Sequence, residues 1–113
     1  MKRGEIWVGN LNPNRGAEIG KIRPVLIVQE NALTVAGLPT LVVLPLTTQV
    51  RPEWQHLRVL VRARDRLQHD CQVMVDQPRT LDRQRLGDGP LTRLTDSELT
   101  QGNQALRVLL GLV

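Results

Sequence analysis

The sequence predicts a mainly β domain with one C-terminal helix, a small, strongly bent barrel or half-barrel closed by that helix. Three observations carry this. Arg23-Pro24-Val25-Leu26-Ile27-Val28-Gln29 and Leu44-Pro45-Leu46-Thr47-Thr48-Gln49 are apolar runs of buried-strand character, each with polar residues at one end. Leu57, Val59 and Val61 alternate with Arg58, Leu60 and Arg62, as in a strand with one face mostly wet. Only near the C-terminus does the apolar period change to 3.6.

Taken in order, Glu5–Val8 is a short first strand, and a polar loop follows from Asn10 to Ile22. That loop is longer than a tight hairpin needs, which favours a functional segment over a mere connection. Val25–Gln29 is the second strand, ended by Glu30-Asn31. Leu41–Leu46 is the third, entered through Leu38-Pro39-Thr40, and Leu57–Arg62 the fourth. Arg64–Asp70 is charged and turn-like. Gln72–Gln77 supplies a fifth strand, stopped by Pro78. Pro78–Leu86 is short, polar and basic, and Gly87-Asp88-Gly89-Pro90 is a strong turn cluster. Thr95-Asp96-Ser97-Glu98 is a capping box with Thr95 as N-cap. Behind it Leu99, Leu106, Leu109, Leu110 and Val113 fall on one helical stripe.

At 113 residues the chain is one domain, residues 1–113, with a real core but small enough that a partner chain matters to its stability. No run of about 18 apolar residues exists to span a membrane. The basic start Lys2-Arg3 has no apolar segment behind it, so a cytoplasmic protein is expected. Cys71, the lone cysteine, sits before the alternating Val73 and Val75 and reads as a small buried hydrophobe. Fifteen basic residues, all Arg but Lys2 and Lys21, stand against 11 acidic ones for a net charge of +4. Such a balance suits a nucleic-acid partner, although biased composition alone also raises surface Arg. Trp7 and Trp54 are the only aromatic residues, which argues against a base-stacking platform.

Arg23 opens one apolar run and Thr47 closes the other, so neighbouring strands would set a guanidinium beside a hydroxyl. A guanidinium presents a charged planar fork to phosphate oxygens, and a hydroxyl both donates and accepts. Without further information Arg23 is equally a strand-edge charge, and Thr47 is more often a β-former than a catalyst. Strand alternation turns Thr48 to the opposite face and returns Gln49 to that of Thr47. Gly16 and Gly20 are expected to shape the loop backbone. His56 and His69 read as surface or strand-end residues.

With Arg3-Gly4-Glu5-Ile6-Trp7, Gly16-Ala17-Glu18-Ile19-Gly20, Arg23-Pro24, Leu46-Thr47-Thr48-Gln49 and Asp76-Gln77-Pro78-Arg79-Thr80-Leu81 in this order, the chain resembles the MazF/PemK (Kid) family of toxin endoribonucleases over nearly its whole length. The resemblance implies an SH3-like barrel of the CcdB/PemK type and a homodimer. It implies cleavage of single-stranded mRNA at short sequences without metal or cofactor, and inhibition by a cognate antitoxin. It places the catalytic roles on Arg23 and Thr47. Arg15, Glu18, Lys21, Gln49, Asp76, Gln77 and Arg79 are the candidates for RNA contact, Arg79 foremost for phosphate. The alternative on the same fold is a non-enzymatic toxin such as the gyrase-poisoning CcdB branch, which acts through a C-terminal Trp. Here the chain closes Leu109-Leu110-Gly111-Leu112-Val113 and keeps Arg23 and Thr47, which favours the enzyme.

Overall fold

The computed structural model describes residues 1–112. Its organising element is β3 (Thr40–Thr47), which pairs antiparallel on one side with β2 (Ile22–Ile27) through Val25↔Pro45, Leu26↔Leu44 and Ile27↔Val43. The other edge of β3 is divided. Thr40 to Val43 pair with β6 (Arg79–Asp82), whereas Leu46 and Thr47 pair with β5 (Cys71–Met74). Pro45 lies at the changeover, where a residue without an N–H leaves a gap in the ladder rather than a broken bond. One strand serving two successive partners bends the sheet.

On the outer side of β2 lie β1 (Glu5–Asn10) and then β7 (Leu86–Arg93), and β4 (Arg58–Val61) lies outside β5. The order β4-β5-β3-β2-β1-β7 curls into a half-barrel, and α2 (Asp96–Leu110) packs over β4. The expected mainly β fold with a C-terminal helix is therefore the observed one.

Both faces of β2 and β3 are buried, which explains why their sequences are apolar runs rather than alternations. Leu26, Leu44 and Leu46 join Ile6, Val59 and Val61 in a cluster under Leu99, Ala105 and Leu106 of α2. Val25, Ile27 and Val43 join Leu11, Leu41 and Leu81 in a second cluster, against which Trp7 and Ile19 pack. Each such side chain contributes about 1.5–3 kcal/mol on burial.

Four features depart from expectation. β2 starts at Ile22 rather than Val25, so Arg23 lies inside the ladder, opposite Gly9 of β1. A five-residue helix, α1 (Asn31–Val35), follows β2. The polar segment after Pro78 contains β6, whose Leu81 is buried between exposed Thr80 and Asp82. The cluster Gly87-Asp88-Gly89-Pro90 is not a turn but the middle of β7, an edge strand that tolerates proline. The Trp7 ring covers Gly89 so closely that a Cβ there would fall 2.4 Å from it.

The capping box is present: the Glu98 N–H donates to Thr95 Oγ1 at 3.2 Å and the Thr95 N–H to Glu98 Oε1 at 2.8 Å. The apolar stripe is only partly used. Leu99 and Leu106 pack on the core, and the small residues Gly102 and Ala105 are buried between them. Leu109 and Leu110 are instead 36% and 57% exposed, and Val113 lies outside the described residues. Among the described residues no helix is long and apolar enough to cross a membrane.

Candidate active site

Continuing the pairing Val25↔Pro45 by two residues sets Arg23 across from Thr47. The side chains follow the backbone. Arg23 is half-buried, its Nε donating to the Gly20 carbonyl at 3.0 Å and its Nη1 to the carbonyl of Leu46, the neighbour of Thr47, at 3.3 Å. Burial lowers the Arg23 pKa from its ordinary value, yet a guanidinium stays charged through neutral pH. Thr47 Oγ1 accepts from the Gln49 N–H at 3.1 Å, which fixes the rotamer and leaves the hydroxyl proton free to donate. Arg23, Thr47, Lys21 and Gln49 line one hollow of about 350 Å³.

Thr48 lines the same hollow, against the expectation that alternation would turn it away. The pleat ends at Thr47, so the period of two does not extend to Thr48. Cys71 is buried on the floor, and burial, reinforced by Asp70, raises its thiol pKa. That suits the inert small hydrophobe expected of it.

The long loop is held shut at its base. Leu11 donates to the Lys21 carbonyl at 2.9 Å, and the Lys21 N–H donates to Asn12 Oδ1 at 2.8 Å. Lys21 has a φ of 73°, a left-handed conformation that costs a non-glycine residue about 1 kcal/mol or more. Strain of this kind persists only where the surroundings hold it, and here it sits two residues from Arg23. Gly20 has no such φ but packs against Asn14, whose side chain would lie 2.5 Å from an added Cβ. Its carbonyl is the one that holds Arg23.

The other predicted contacts lie outside the hollow. Arg15 and Glu18 close the loop on itself, the Arg15 N–H donating to Glu18 Oε1 at 2.9 Å. Arg79 Nη1 reaches the carbonyls of Leu11 at 3.3 Å and Ile19 at 3.0 Å, so its guanidinium braces the loop from beneath. Gln77 Oε1 accepts from Ile19 at 3.4 Å, and Asp76 is exposed beyond β5. Among the described residues no three His, Cys, Asp or Glu side chains converge as metal ligands.

One supporting residue escaped the sequence reading. Gln72 is 4% exposed and pairs with Thr47 across β3 and β5. Its Oε1 accepts from the Arg51 N–H at 2.9 Å and from Arg58 Nη1 at 3.3 Å, and its Nε2 donates to the Arg51 carbonyl at 3.1 Å. The amide thus clamps the segment that leaves Thr47. The available signal was a glutamine inside the otherwise apolar run Cys71-Gln72-Val73-Met74-Val75.

A half-barrel that sets a charged arginine and an anchored threonine hydroxyl in one cationic hollow defines a protein equipped to hold an anion. Residues 2–110 match the model of the PemK-like, MazF-like toxins of type II toxin–antitoxin systems, and the chain belongs to that family. It is 33% identical over 113 residues to the endoribonuclease MazF of Staphylococcus saprophyticus, covering 99% of this chain and 92% of that protein. It is also 33% identical over 114 residues to the endoribonuclease EndoA of Bacillus subtilis, covering 100% and 97%. Among solved structures, a mycobacterial endoribonuclease in complex with its cognate antitoxin superposes with a TM-score of 0.79 at 28% identity, covering 100% of this chain and 97% of that one. MazF from Deinococcus radiodurans, 22% identical, shares the fold with a TM-score of 0.82 over 98% of this chain and 96% of its own.

Proposed function

We propose that the chain is a toxin endoribonuclease that cuts single-stranded mRNA at short sequences and is inhibited by a cognate antitoxin. The observation that carries this is the meeting of Arg23 and Thr47 in one hollow, in a family whose similar members are named endoribonucleases. RNA brings its own nucleophile. The 2′-OH attacks the adjacent phosphorus and the 5′-oxygen leaves, giving a 2′,3′-cyclic phosphate and a 5′-OH. The protein's share is to hold the nucleotide in line and to stabilise charge on the phosphoryl oxygens. Arg23 supplies that charge, with Lys21 adding to the positive field. Thr47 donates to a phosphate oxygen or to the 2′-OH. None of these steps calls for a metal or cofactor, and DNA is excluded because it lacks the nucleophile.

The toxin acts in the cytoplasm as a homodimer. Leu110 and Leu112 are 57% and 69% exposed beside Leu106 and Arg107, an apolar surface suited to a second copy. The antitoxin competes for the same cationic path as RNA, folding as it binds.

The deciding experiment digests a defined RNA with EDTA present and maps the product ends. The expected result is undiminished cutting with cyclic-phosphate and 5′-OH termini, abolished by a single 2′-deoxy substitution at the scissile nucleotide. Cutting of the deoxy substrate at an unchanged rate overturns the mechanism. A folded protein that cuts no RNA, yet inhibits growth, returns the non-enzymatic reading.

A further inference from the structure

We propose that a second hollow, next to the first, is a pocket for the nucleobase adjoining the scissile phosphate, and that it selects a base bearing an exocyclic amino group over uracil. This rests on the endoribonuclease reading and concerns which RNA is cut rather than how. The hollow measures about 450 Å³ and shares Pro24, Thr48 and Cys71 with the Arg23 hollow. Such a volume lies within the roughly 300–1,000 Å³ of small-ligand sites. A strand held at Arg23 and Thr47 that continues past Thr48 enters it.

Charge distinguishes the two spaces. The first carries Lys21 and Arg23 and no carboxylate. In the second, Arg66 is already ion-paired with Asp88, and the Asp65 carboxylate is added. With no surplus positive charge, a phosphate gains nothing there, and neither does an acidic peptide. An uncharged planar base does, because the floor of Pro24, Leu67 and Leu91 is apolar while the rim is polar.

The rim residues are free to read an edge. Gln68 and His69 are exposed at the mouth, and His69 enters the described hydrogen bonds only through its carbonyl, which accepts from the Cys71 thiol at 3.3 Å. An imidazole offers a face for stacking, and an amide offers both donor and acceptor. Asp65 Oδ2 accepts from the Thr92 hydroxyl at 2.7 Å, which leaves Oδ1 to accept from a ligand. A carboxylate accepts from an amino group and repels a carbonyl, hence the preference against uracil.

The wall is also rigid. Arg64 and Leu67 bridge one another at 3.0 and 2.9 Å, Arg66 N–H donates to the Leu91 carbonyl at 3.0 Å, and Ala63 N–H donates to Asp70 at 2.7 Å. A preformed pocket discriminates without an ordering cost.

The test uses the full chain and a pool of single-stranded RNAs randomised on both sides of the cut, with product ends sequenced. Wild-type protein is expected to favour an amino-bearing base over uracil by about 5- to 100-fold at one flanking position. Gln68→Ala and His69→Ala should flatten the preference at that position and leave the other positions as they were. Asp65→Asn, which keeps an acceptor for Thr92 but turns a donor toward the base, should shift the preference toward uracil. An unchanged profile in all three variants overturns the assignment and leaves the hollow to a peptide partner. Equal loss at every position overturns it too, since that marks a general effect on the fold. A wild-type protein that cuts nothing in the pool brings down the nuclease reading and the pocket with it.

Discussion

The two hollows meet at Thr48 and are built on different principles. The first hangs on paired strands and a pinned loop: β2 carries Arg23, β3 carries Thr47, and the Lys21 backbone is held strained beside them. The second is walled by a charged hairpin turn bonded to an edge strand. In the first, a displaced residue moves the central sheet. In the second, side chains at the rim change with little effect on the core. On the proposed reading, the difference separates a chemistry that the sheet fixes from a selectivity that a surface loop adjusts.

The largest expected effect falls on the first hollow. Arg23→Ala should lower kcat by about 10²–10³-fold, or about 2.7–4 kcal/mol, the usual loss for a preorganised transition-state donor. Thr47→Ala should lose less, and Arg23→Lys should recover only part, because an ammonium lacks the fork. Steady-state cleavage of one defined RNA, with circular dichroism as a check on folding, measures all three. Arg23→Ala cutting at the wild-type rate would remove the distinction between the hollows.

Next comes the clamp behind Thr47. Gln72→Leu leaves the Arg51 N–H and carbonyl without their partner and should cost about 1–3 kcal/mol of stability. It should also lower kcat more than it raises KM, since on the proposed mechanism Arg23 would still hold the phosphate while Thr47 loses its fixed place. Gln72→Glu keeps the acceptor for the Arg51 N–H and Arg58 and should restore part of kcat. Urea unfolding together with a kcat and KM comparison decides this. A stability loss with kcat intact would make Gln72 merely structural.

The smallest effect sharpens the contrast through pH. Burial alone would raise the Glu98 pKa, but the Arg64 guanidinium and the Thr95 N–H outweigh it and hold the carboxyl below its usual 4.5. Arg64 Nη2 lies 2.6 Å from Glu98 Oε1, and Arg64 also opens the hairpin that walls the second hollow. A depressed carboxylate contributes stability that is fully present above the unfolded value and is lost as pH falls through the lower folded one. Protection of the amides of residues 64–69 against hydrogen exchange, taken relative to the intrinsic rate at each pH, should therefore fall below about pH 4.5 before that of β2 and β3 does. Glu98→Gln, which removes the charge facing Arg64 while an N3 glutamine still completes the capping box, should give the same pattern at neutral pH. Equal loss of protection in both regions would refute it.

Much of this arrangement is legible in the sequence because it is periodic. The buried runs of β2 and β3, the alternation of β4 and the capped helix announce themselves through spacing. β6 and β7 do not, since one has a single buried residue flanked by polar ones and the other carries glycines and a proline that only an edge strand accepts. The five residues of α1 are too few to show a period. Arg23 and Thr47 stand out in the sequence because each ends a run, and the structure brings both to one hollow. The second hollow has no such mark: Pro24, Thr48, Asp65, His69, Asp88 and Leu91 come together only when β7 folds back beside the hairpin.

The Trp7 packing has a use outside catalysis. With no Tyr or Phe, the near-ultraviolet spectrum of this protein comes from two indoles in unlike surroundings. Trp7 lies over Gly89, beside Val25 in the ladder, with its Nε1 donating to Glu5 at 3.2 Å. Trp54 is 46% exposed, with the Arg58 guanidinium 5.9 Å from its ring centroid. An iodide-quenchable emission thus belongs to the segment after Thr47, and a shielded one to the sheet that carries Arg23. Single Trp→Leu replacements would give the segment after Thr47 and the sheet that carries Arg23 each its own optical reporter, with no added label.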